Sequence, residues 1–204
     1  MTLVPGQNDY HHGHLDEALV EETSRIVRED GISAVSMREL SERLDVSRSA
    51  AYRHFEGKEA LFAAVAKKGF VELREAMKSV RAETPSSSTA SERLIAMGKT
   101  YVEYALDHPG VYRLMFQWDW SDDEHAALAE AGQSAFDELV NAMESGQKEG
   151  TFRSGDSLEM AFSTWSLVHG VALLILDGHA PEGTNDPEKL DSLLTWMGEG
   201  LMVN

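Results

Sequence analysis

Apolar residues recur along this chain every three to four positions, and strict alternation is nearly absent. That is the pattern of amphipathic helices rather than strands. Leu15, Ala18, Leu19, Ile26 and Val27 fall on one helical face. Asp30-Gly31 closes that helix, glycine being suited to the left-handed C-terminal cap position. Ser36-Met37-Arg38-Glu39 has the form of a capping box, in which the Ser and Glu side chains satisfy free amides at a helix start. The short helix it opens carries Met37, Leu40 and Leu44 on its inner face. Asp45-Val46 reads as a tight turn. Ser47 caps a further short helix with Ala51 and Phe55 inward, and Glu56-Gly57 breaks it. A longer helix runs from Lys58 with Leu61, Phe62 and Val65 inward.

The polar, small-residue segment Thr84 to Ala90 (TPSSSTA) reads as a linker or loop between this front unit and the rest. Beyond it the pattern predicts helices over about Ser91–Asp107, ending at His108-Pro109-Gly110, and about Val111–Gln117. Further helices follow over about Glu124–Lys148, stopping at Glu149-Gly150, and about Ser157–Leu176. The middle of Ser157–Leu176 is apolar nearly all round, which predicts burial on every side. After a loop at Ala180–Pro187, a last helix is expected over about Glu188–Val203. No internal repeat is visible. The fold class is all-α, with about nine helices.

Composition changes this picture in three respects. A chain of 204 residues and 22.6 kDa is long enough to bury a core without a metal or disulfide. With no cysteine, a disulfide framework, a thiolate zinc site and a cysteine nucleophile are excluded. The longest uninterrupted apolar run, Val171 to Leu176, is far short of the ~18 residues of a membrane span. Met1 to Asn8 lacks the basic start and apolar stretch of a signal peptide. A soluble, cytoplasmic protein is expected.

The charge is uneven. The net charge is −17, which argues against a protein that coats itself in nucleic acid. Residues 1–81 hold 12 Lys+Arg against 14 Asp+Glu, whereas residues 82–204 hold 6 against 21. Within Ser47–Lys58 three basic residues face one acidic residue. Either these are ordinary solvated helix faces, or one local surface meets phosphate while the remainder repels it.

Short helices separated by a Gly break and a two-residue turn describe a helix-turn-helix unit. Its second helix, here Ser47–His54, can project into the DNA major groove. The residues themselves go further. YHHGHL (Tyr10–Leu15), the Gly31 break and SMRELSERLDVSRSAAYRHFEGKEALFAAV (Ser36–Val65) resemble the DNA-binding domain of the TetR (tetracycline-repressor-like) family of transcriptional regulators. Asp45 stands where that family commonly has Gly. WSLVHG, with Trp165, His169 and Gly170, resembles the Trp–His–Gly motif of one branch of the family. The resemblance implies a helix-turn-helix DNA-binding domain over 10–65, and an effector-binding and dimerisation domain over 66–204.

The resemblance also implies roles. Ser36 would meet phosphate through its hydroxyl and the free amides beside it, beyond its part as a plain cap. Arg38 would reach a base edge, guanine offering two acceptors to the Arg fork; a surface pair with Glu42, four residues on, is the competing reading. Ser47, Arg48 and Ser49 open the recognition helix, where base contacts concentrate. Ala50 would offer its methyl to thymine. Tyr52, His54 and Lys58 would contact phosphate, and Arg53 would reach the backbone or solvent. Of the tract His11, His12 and His14, the better reading is an N-terminal segment near the DNA backbone rather than a metal site.

For the rear half the resemblance implies a homodimer through about 157–176 and 188–203, matching a palindromic operator. Leu190, Leu193, Leu194, Met197 and Leu201 form the stripe of the last helix. The middle helices would hold a small, mostly apolar effector. Candidate wall residues are Met97, Tyr101, Tyr104, Tyr112, Phe116, Trp120, Phe136, Trp165 and His169, with Trp118 and Met143 beside them. Plain core is the competing reading for each, and His169 reads as a hydrogen-bonded core histidine rather than a metal ligand. No metal or cofactor is expected. No HExxH, GxSxG or phosphate-cradling Gly loop is present, so an enzyme is not expected. The resemblance thus implies a ligand-responsive regulator, usually a repressor. The alternative is a helical ligand-binding or interaction protein without DNA binding.

Overall fold

The structure is a computed structural model that describes residues 14–85, 87–117 and 125–202. Tyr10, His11, His12, Trp118, Trp120 and the acids Asp122 and Asp123 lie outside the described residues. Among the described residues there are nine α-helices and a single isolated bridge, Phe152 to Met202, with no strand. Packing divides the chain into two compact units. One comprises Met1–Gly69 with Gly110–Leu128, the other Phe70–Pro109 with Ala129–Asn204.

The first unit holds α1 (Leu15–Glu29), a 3₁₀ turn (Ile32–Ala34), α2 (Met37–Arg43), α3 (Arg48–His54), the start of α4 (Lys58–Glu83) and nearly all of α6 (Pro109–Met115). Leu19, Ile26, Leu40, Ala51, Leu61 and Val65 are fully buried and form its core. Helix α1 packs on α2 and α3, and α2 on α3. Leu44 and Phe55, expected inward, are half-buried at the ends of their helices.

Two local expectations are corrected. The cap of α1 is Asp30, in right-handed geometry, and Gly31 follows at φ 85°, ψ 167°. That is an extended, positive-φ conformation open to glycine, not the left-handed cap. At α2 only half of the capping box forms. Ser36 Oγ accepts from the Glu39 amide at 3.1 Å, but the Glu39 carboxylate turns to Arg43 instead, at 2.5 Å. A guanidinium one turn on attracts a carboxylate more strongly than a neutral amide does. A complete box forms where none was expected, between Thr89 and Glu92 at the start of α5.

The second unit holds the rest of α4, α5 (Ala90–Asp107), nearly all of α7 (Ala126–Lys148), α8 (Ser157–Leu176) and α9 (Pro187–Glu199). Helix α5 packs on both α8 and α9, which also pack on each other. Leu73, Leu94, Met97, Met143 and Leu194 are its largest fully buried side chains. The Thr84–Ala90 segment joins α4 to α5 at a point where both belong to this unit. Helix α9 ends at Glu199, short of the expected Val203, and Leu201 O accepts from Arg153 N at 3.0 Å.

Helix α8 departs most from expectation. It is 20 residues long with a mean hydropathy of 1.4, long and apolar enough by composition to cross a membrane. The burial predicted on every side is not found. Met160, Ala161, Thr164, Val168 and Ala172 face inward, while Leu158, Phe162, Leu167 and Leu174 are each more than half exposed. Periodicity cannot separate a helix enclosed by its own chain from one that offers an apolar face outward.

Candidate DNA interface and ligand site

The turn between α2 and α3 sets the aim of α3. Asp45 there has φ 53°, the left-handed region that non-glycine residues seldom occupy. Asp is among the few side chains tolerated in it. Ser47 then caps α3, its Oγ accepting from the Ala50 amide at 3.1 Å and lying 3.0 Å from Ser49 Oγ. Ala51 is the single fully buried residue of α3. With that side anchored on α1 and α2, Arg48, Ser49, Tyr52, Arg53 and His54 are exposed, and Ala50 is half-buried. Tyr52 is 51 % exposed, so it is no core residue. Lys58 follows at the start of α4, its Nζ 5.7 Å from the centre of the Phe62 ring.

Electrostatics divide this unit. Arg25 is engaged by Glu22 and Glu29, Arg28 by Glu21, Lys68 by Glu21, and Arg43 by Glu39, Glu22 and Asp30. The hydrogen bond from Arg25 holds the Glu22 carboxyl below its usual range, with Arg43 adding to the effect against partial burial. By contrast no ion pair engages Arg48, Arg53 or Lys58 among the described residues. Arg38 does pair with Glu42, at 3.0 Å, both well exposed. An exposed pair of this kind is worth about 0–1 kcal/mol, so exchanging Glu42 for a base edge or phosphate costs little. The cations of α1 and the C-terminal half of α2 are thus occupied internally, and those of α3 and the α4 start are available.

In the second unit, Tyr101 on α5 joins Trp165 and His169 of α8. The Trp165 indole N–H donates to Tyr101 Oη at 3.0 Å, and Tyr101 Oη lies 3.0 Å from His169 Nδ1. The indole can only donate, so Tyr101 Oη accepts there and its own proton is left to donate to His169 Nδ1 in the tautomer that carries the ring proton on Nε2. Burial pushes the His169 pKa down, favouring the neutral ring. Phe136 and Phe162 both meet the Trp165 ring edge-on. Met97, Tyr101 and Tyr104 are buried along α5. Tyr112 and Phe116 belong to the first unit, where their rings pack edge to face at 5.0 Å. Met143 is fully buried. The structure therefore gathers Tyr101, Phe136, Trp165 and His169, and places Tyr112 and Phe116 in the other unit.

Sequence reasoning passed over Glu72 and His108. Glu72 Oε2 accepts from Tyr104 Oη, and the His108 ring meets Tyr104 edge-on at 4.7 Å. The stripe Met97, Tyr101, Tyr104, His108, at spacings of four, three and four, was the signal available. A surface groove of about 760 Å³ beside the α4–α5 loop carries Arg81, Arg93 and Lys148. Each cation there faces a carboxylate, Glu138, Glu149 or Glu144. Among the described residues no group of three or more His, Asp or Glu side chains is placed to hold a metal.

Comparison with known proteins matches both halves. Residues 19–65 match the family model described as bacterial regulatory proteins, tetR family, and residues 94–199 match the tetracyclin repressor-like C-terminal domain. This chain belongs to the TetR family. A protein of Rhodococcus sp. RHA1, described as of unknown function, has a structure with TM-score 0.81 and 28 % identity, covering 95 % of this chain and 98 % of that one. A tetR-family regulatory protein, also from Rhodococcus RHA1, shares the fold at TM-score 0.68 and 18 % identity, covering 94 % and 98 %. The uncharacterized HTH-type transcriptional regulator YobS of Bacillus subtilis (strain 168) is 25 % identical over 100 residues, 49 % of this TetR-family chain. The match spans half the length of that curated relative.

Proposed function

We propose that this chain is a ligand-responsive, DNA-binding regulator of transcription, acting in the cytoplasm as a homodimer on a palindromic operator, and not an enzyme. The observation that carries the reading is α3. It is a short helix anchored by one buried alanine, with Arg48, Ser49, Tyr52, Arg53 and His54 exposed and its arginines in no ion pair among the described residues. A projecting helix of this kind suits the major groove, where base edges specify sequence. Ser36, Arg38, Ser47, Ala50 and Lys58 flank it. The Ser36 hydroxyl accepts a backbone amide and keeps its own proton to donate to phosphate, while the Ser47 and Ser49 hydroxyls share one hydrogen bond and leave one proton between them for the same use. Phosphate contacts fix register and base contacts specify.

One α3 reads few base pairs, and a two-fold dimer doubles the contact set. The exposed apolar residues of α8, with Trp196 of α9 at 67 % exposed, support dimerisation through these two helices. The second unit is the effector domain in this reading, with Tyr101, Phe136, Trp165 and His169 in the ligand wall. Effector binding favours a spacing of the two recognition helices other than the roughly 34–36 Å of one DNA turn, and repression is relieved.

The test is selection from random-sequence DNA with the purified protein, then anisotropy titration of the enriched sequence against salt. A palindromic consensus, bound with affinity that falls steeply as salt rises, is the expected result. A folded dimer that enriches no sequence, with or without cell extract, overturns the reading in favour of a ligand-binding protein without DNA binding.

A further inference from the structure

Two hydroxyls at the leading end of α3 are tied together. Ser47 Oγ and Ser49 Oγ lie 3.0 Å apart, and both residues are exposed. Ser47 Oγ also accepts from the Ala50 amide at 3.1 Å. Neither side chain has a further hydrogen-bond partner among the described residues. A serine hydroxyl carries one proton and two lone pairs. One of the two protons is therefore engaged between the serines, and the Ala50 amide occupies a lone pair of Ser47. The bond can run in either direction. If Ser47 donates, Ser49 keeps a proton to offer outward. If Ser49 donates, the outward proton is on Ser47, and Ser49 has only lone pairs left to present.

We propose that Ser49 reads an exocyclic amino group, adenine N6 or cytosine N4, as a hydrogen-bond acceptor, and that Ser47 imposes this polarity by donating its own proton to phosphate; this rests on the DNA-binding reading and adds the base chemistry to it. Ser47 precedes α3 in extended backbone, and Ser49 lies in the first turn. In a helix laid in the major groove, the first residues meet base edges, while hydroxyls beside it donate to phosphate oxygens. Phosphate oxygens only accept, so docking Ser47 on one of them leaves the second arrangement of the pair. Adenine and cytosine present an amino donor in the major groove where guanine and thymine present a carbonyl. A carbonyl would face the lone pairs of Ser49. Relief requires giving up the phosphate contact or the bond between the serines, one hydrogen bond in either case, which is about two- to tenfold in affinity. A serine acting alone turns its hydroxyl to suit donor or acceptor. The pair thus gives α3 a discrimination that Ser49 alone lacks.

The experiment uses the full chain and duplexes carrying its selected operator. Repeating the selection with Ser49→Ala locates the base pair that Ser49 meets. At that pair, purine in place of adenine, or 2-pyrimidinone in place of cytosine, removes the amino group. On the opposite base, 5-methyl-2-pyrimidinone in place of thymine, or 2-aminopurine in place of guanine, removes the carbonyl. Each duplex is titrated by anisotropy with wild type and with Ser49→Ala, so that losses in base pairing cancel. Removing the amino group is expected to cost the wild type at least about threefold more than it costs Ser49→Ala. Removing the carbonyl is expected to cost both alike. A transition at the same pair, A·T to G·C or C·G to T·A, puts a carbonyl where the amino group stood. It is expected to cost the wild type about fivefold and Ser47→Ala less than about twofold, because the released Ser49 proton can donate to the carbonyl. Ser47→Asp caps a helix as well as Ser does and can only accept from Ser49. It is expected to keep the wild-type ratio while binding every duplex more weakly, its carboxylate facing phosphate. A lost cap alone would weaken all duplexes equally and leave the ratio unmoved. Coupling of Ser49 to the carbonyl instead of the amino group, a wild-type ratio in Ser47→Ala, a reversed ratio in Ser47→Asp, or an unchanged consensus for Ser49→Ala overturns the assignment and leaves the DNA-binding reading standing. A wild-type chain that enriches no sequence, with or without cell extract, overturns both.

Discussion

Arg43 at the end of α2 reaches Glu22 in the middle of α1 at 3.3 Å while holding Glu39 on its own helix at 2.5 Å. Glu22 in turn takes Arg25 at 2.5 Å. This network fixes α2, and through it α3, against α1 by means other than the hydrophobic core. The Glu22 carboxyl titrates below its ordinary value of 4.5, chiefly through Arg25. Its folded-state proton affinity is the lower one, so its contribution is present above about pH 4.5 and is lost as pH falls through the depressed folded value. His169 behaves in the same direction at higher pH. Burial lowers its pKa from 6.5, so the unfolded chain takes up a proton first and stability declines as pH falls below about 6.5. Thermal melts across pH 3–7 should therefore show two declines. Glu22→Gln should flatten the lower and His169→Gln the upper. Wild-type slopes in both variants would show that these groups are not the ones titrating.

The left-handed Asp45 gives a prediction about backbone strain. A side chain at φ 53° is disfavoured by contact between Cβ and the backbone, by roughly 1–2 kcal/mol for an ordinary residue and less for Asp. Asp45→Gly relieves that contact, offset by the entropy glycine loses on folding. It should leave stability equal or raise it by about 0.5 kcal/mol. Asp45→Val should cost more than about 1 kcal/mol. Denaturant midpoints measure both, and a Val variant as stable as wild type would show the turn is not left-handed.

Gly146 on α7 lies against the ring of Phe152. A Cβ on Gly146 would sit 2.1 Å from Phe152 Cδ2 and 2.8 Å from Cγ. The ring cannot swing aside readily, because Phe152 is buried and its amide bonds Gly146 O at 3.1 Å. Gly146→Ala should therefore cost about 1–3 kcal/mol by overpacking. Phe152→Leu in the same chain should restore part of the loss, which a double-mutant cycle in urea would measure. Additive effects would mean the two residues do not meet.

On the DNA side, Tyr52→Phe and Lys58→Ala should weaken binding across all sequences, and Lys58→Ala should reduce the salt slope by about one. Arg48→Ala should instead relax preference at one position of each half-site, by about 1–3 kcal/mol of discrimination. Repeating the selection with each variant separates the two behaviours. An unchanged consensus for Arg48→Ala would assign Arg48 to the phosphate backbone.

Much of this was legible in the sequence because local chemistry decides it. Helix starts at Ser36 and Ser47, the break at Gly31 and the inward Leu40 and Ala51 follow from caps, turns and period. The exposed set of α3 follows once Ala51 is known to face in. Other features depend on which atoms meet across the fold. Whether Glu39 closes a capping box or turns to Arg43 depends on a competition between two partners. The long bond from Tyr104 to Glu72 joins residues 32 apart, and no spacing rule reports it. The apolar run of α8 misled because hydropathy does not say whose surface will cover a helix.

That uncovered face supplies the last prediction. Phe162, Ser166, Gly170 and Leu174 descend one side of α8 at spacings of four. Leu167 flanks them, and a Cβ on Gly170 would meet nothing within 4 Å. Small residues between exposed apolar ones allow a second helix to approach closely, and the exposed Leu158, Phe162, Leu167 and Leu174 gain most by burial, at about 25 cal/mol per Å² of apolar area. Two such faces around a two-fold axis, each with its α9 alongside, would form a four-helix bundle. Phe162→Glu places a carboxylate in that bundle without disturbing the inward residues Ala161, Thr164 and Val168, so the protomer should keep its helical content. Sedimentation should then show a monomer at concentrations where the wild type is expected to sediment as the proposed dimer. Affinity for the palindromic site should drop to that of an isolated half-site. Ser154→Glu, at an exposed position in the loop before α8, serves as the control of equal charge. A Phe162→Glu protein that remains dimeric would move the interface elsewhere on the chain.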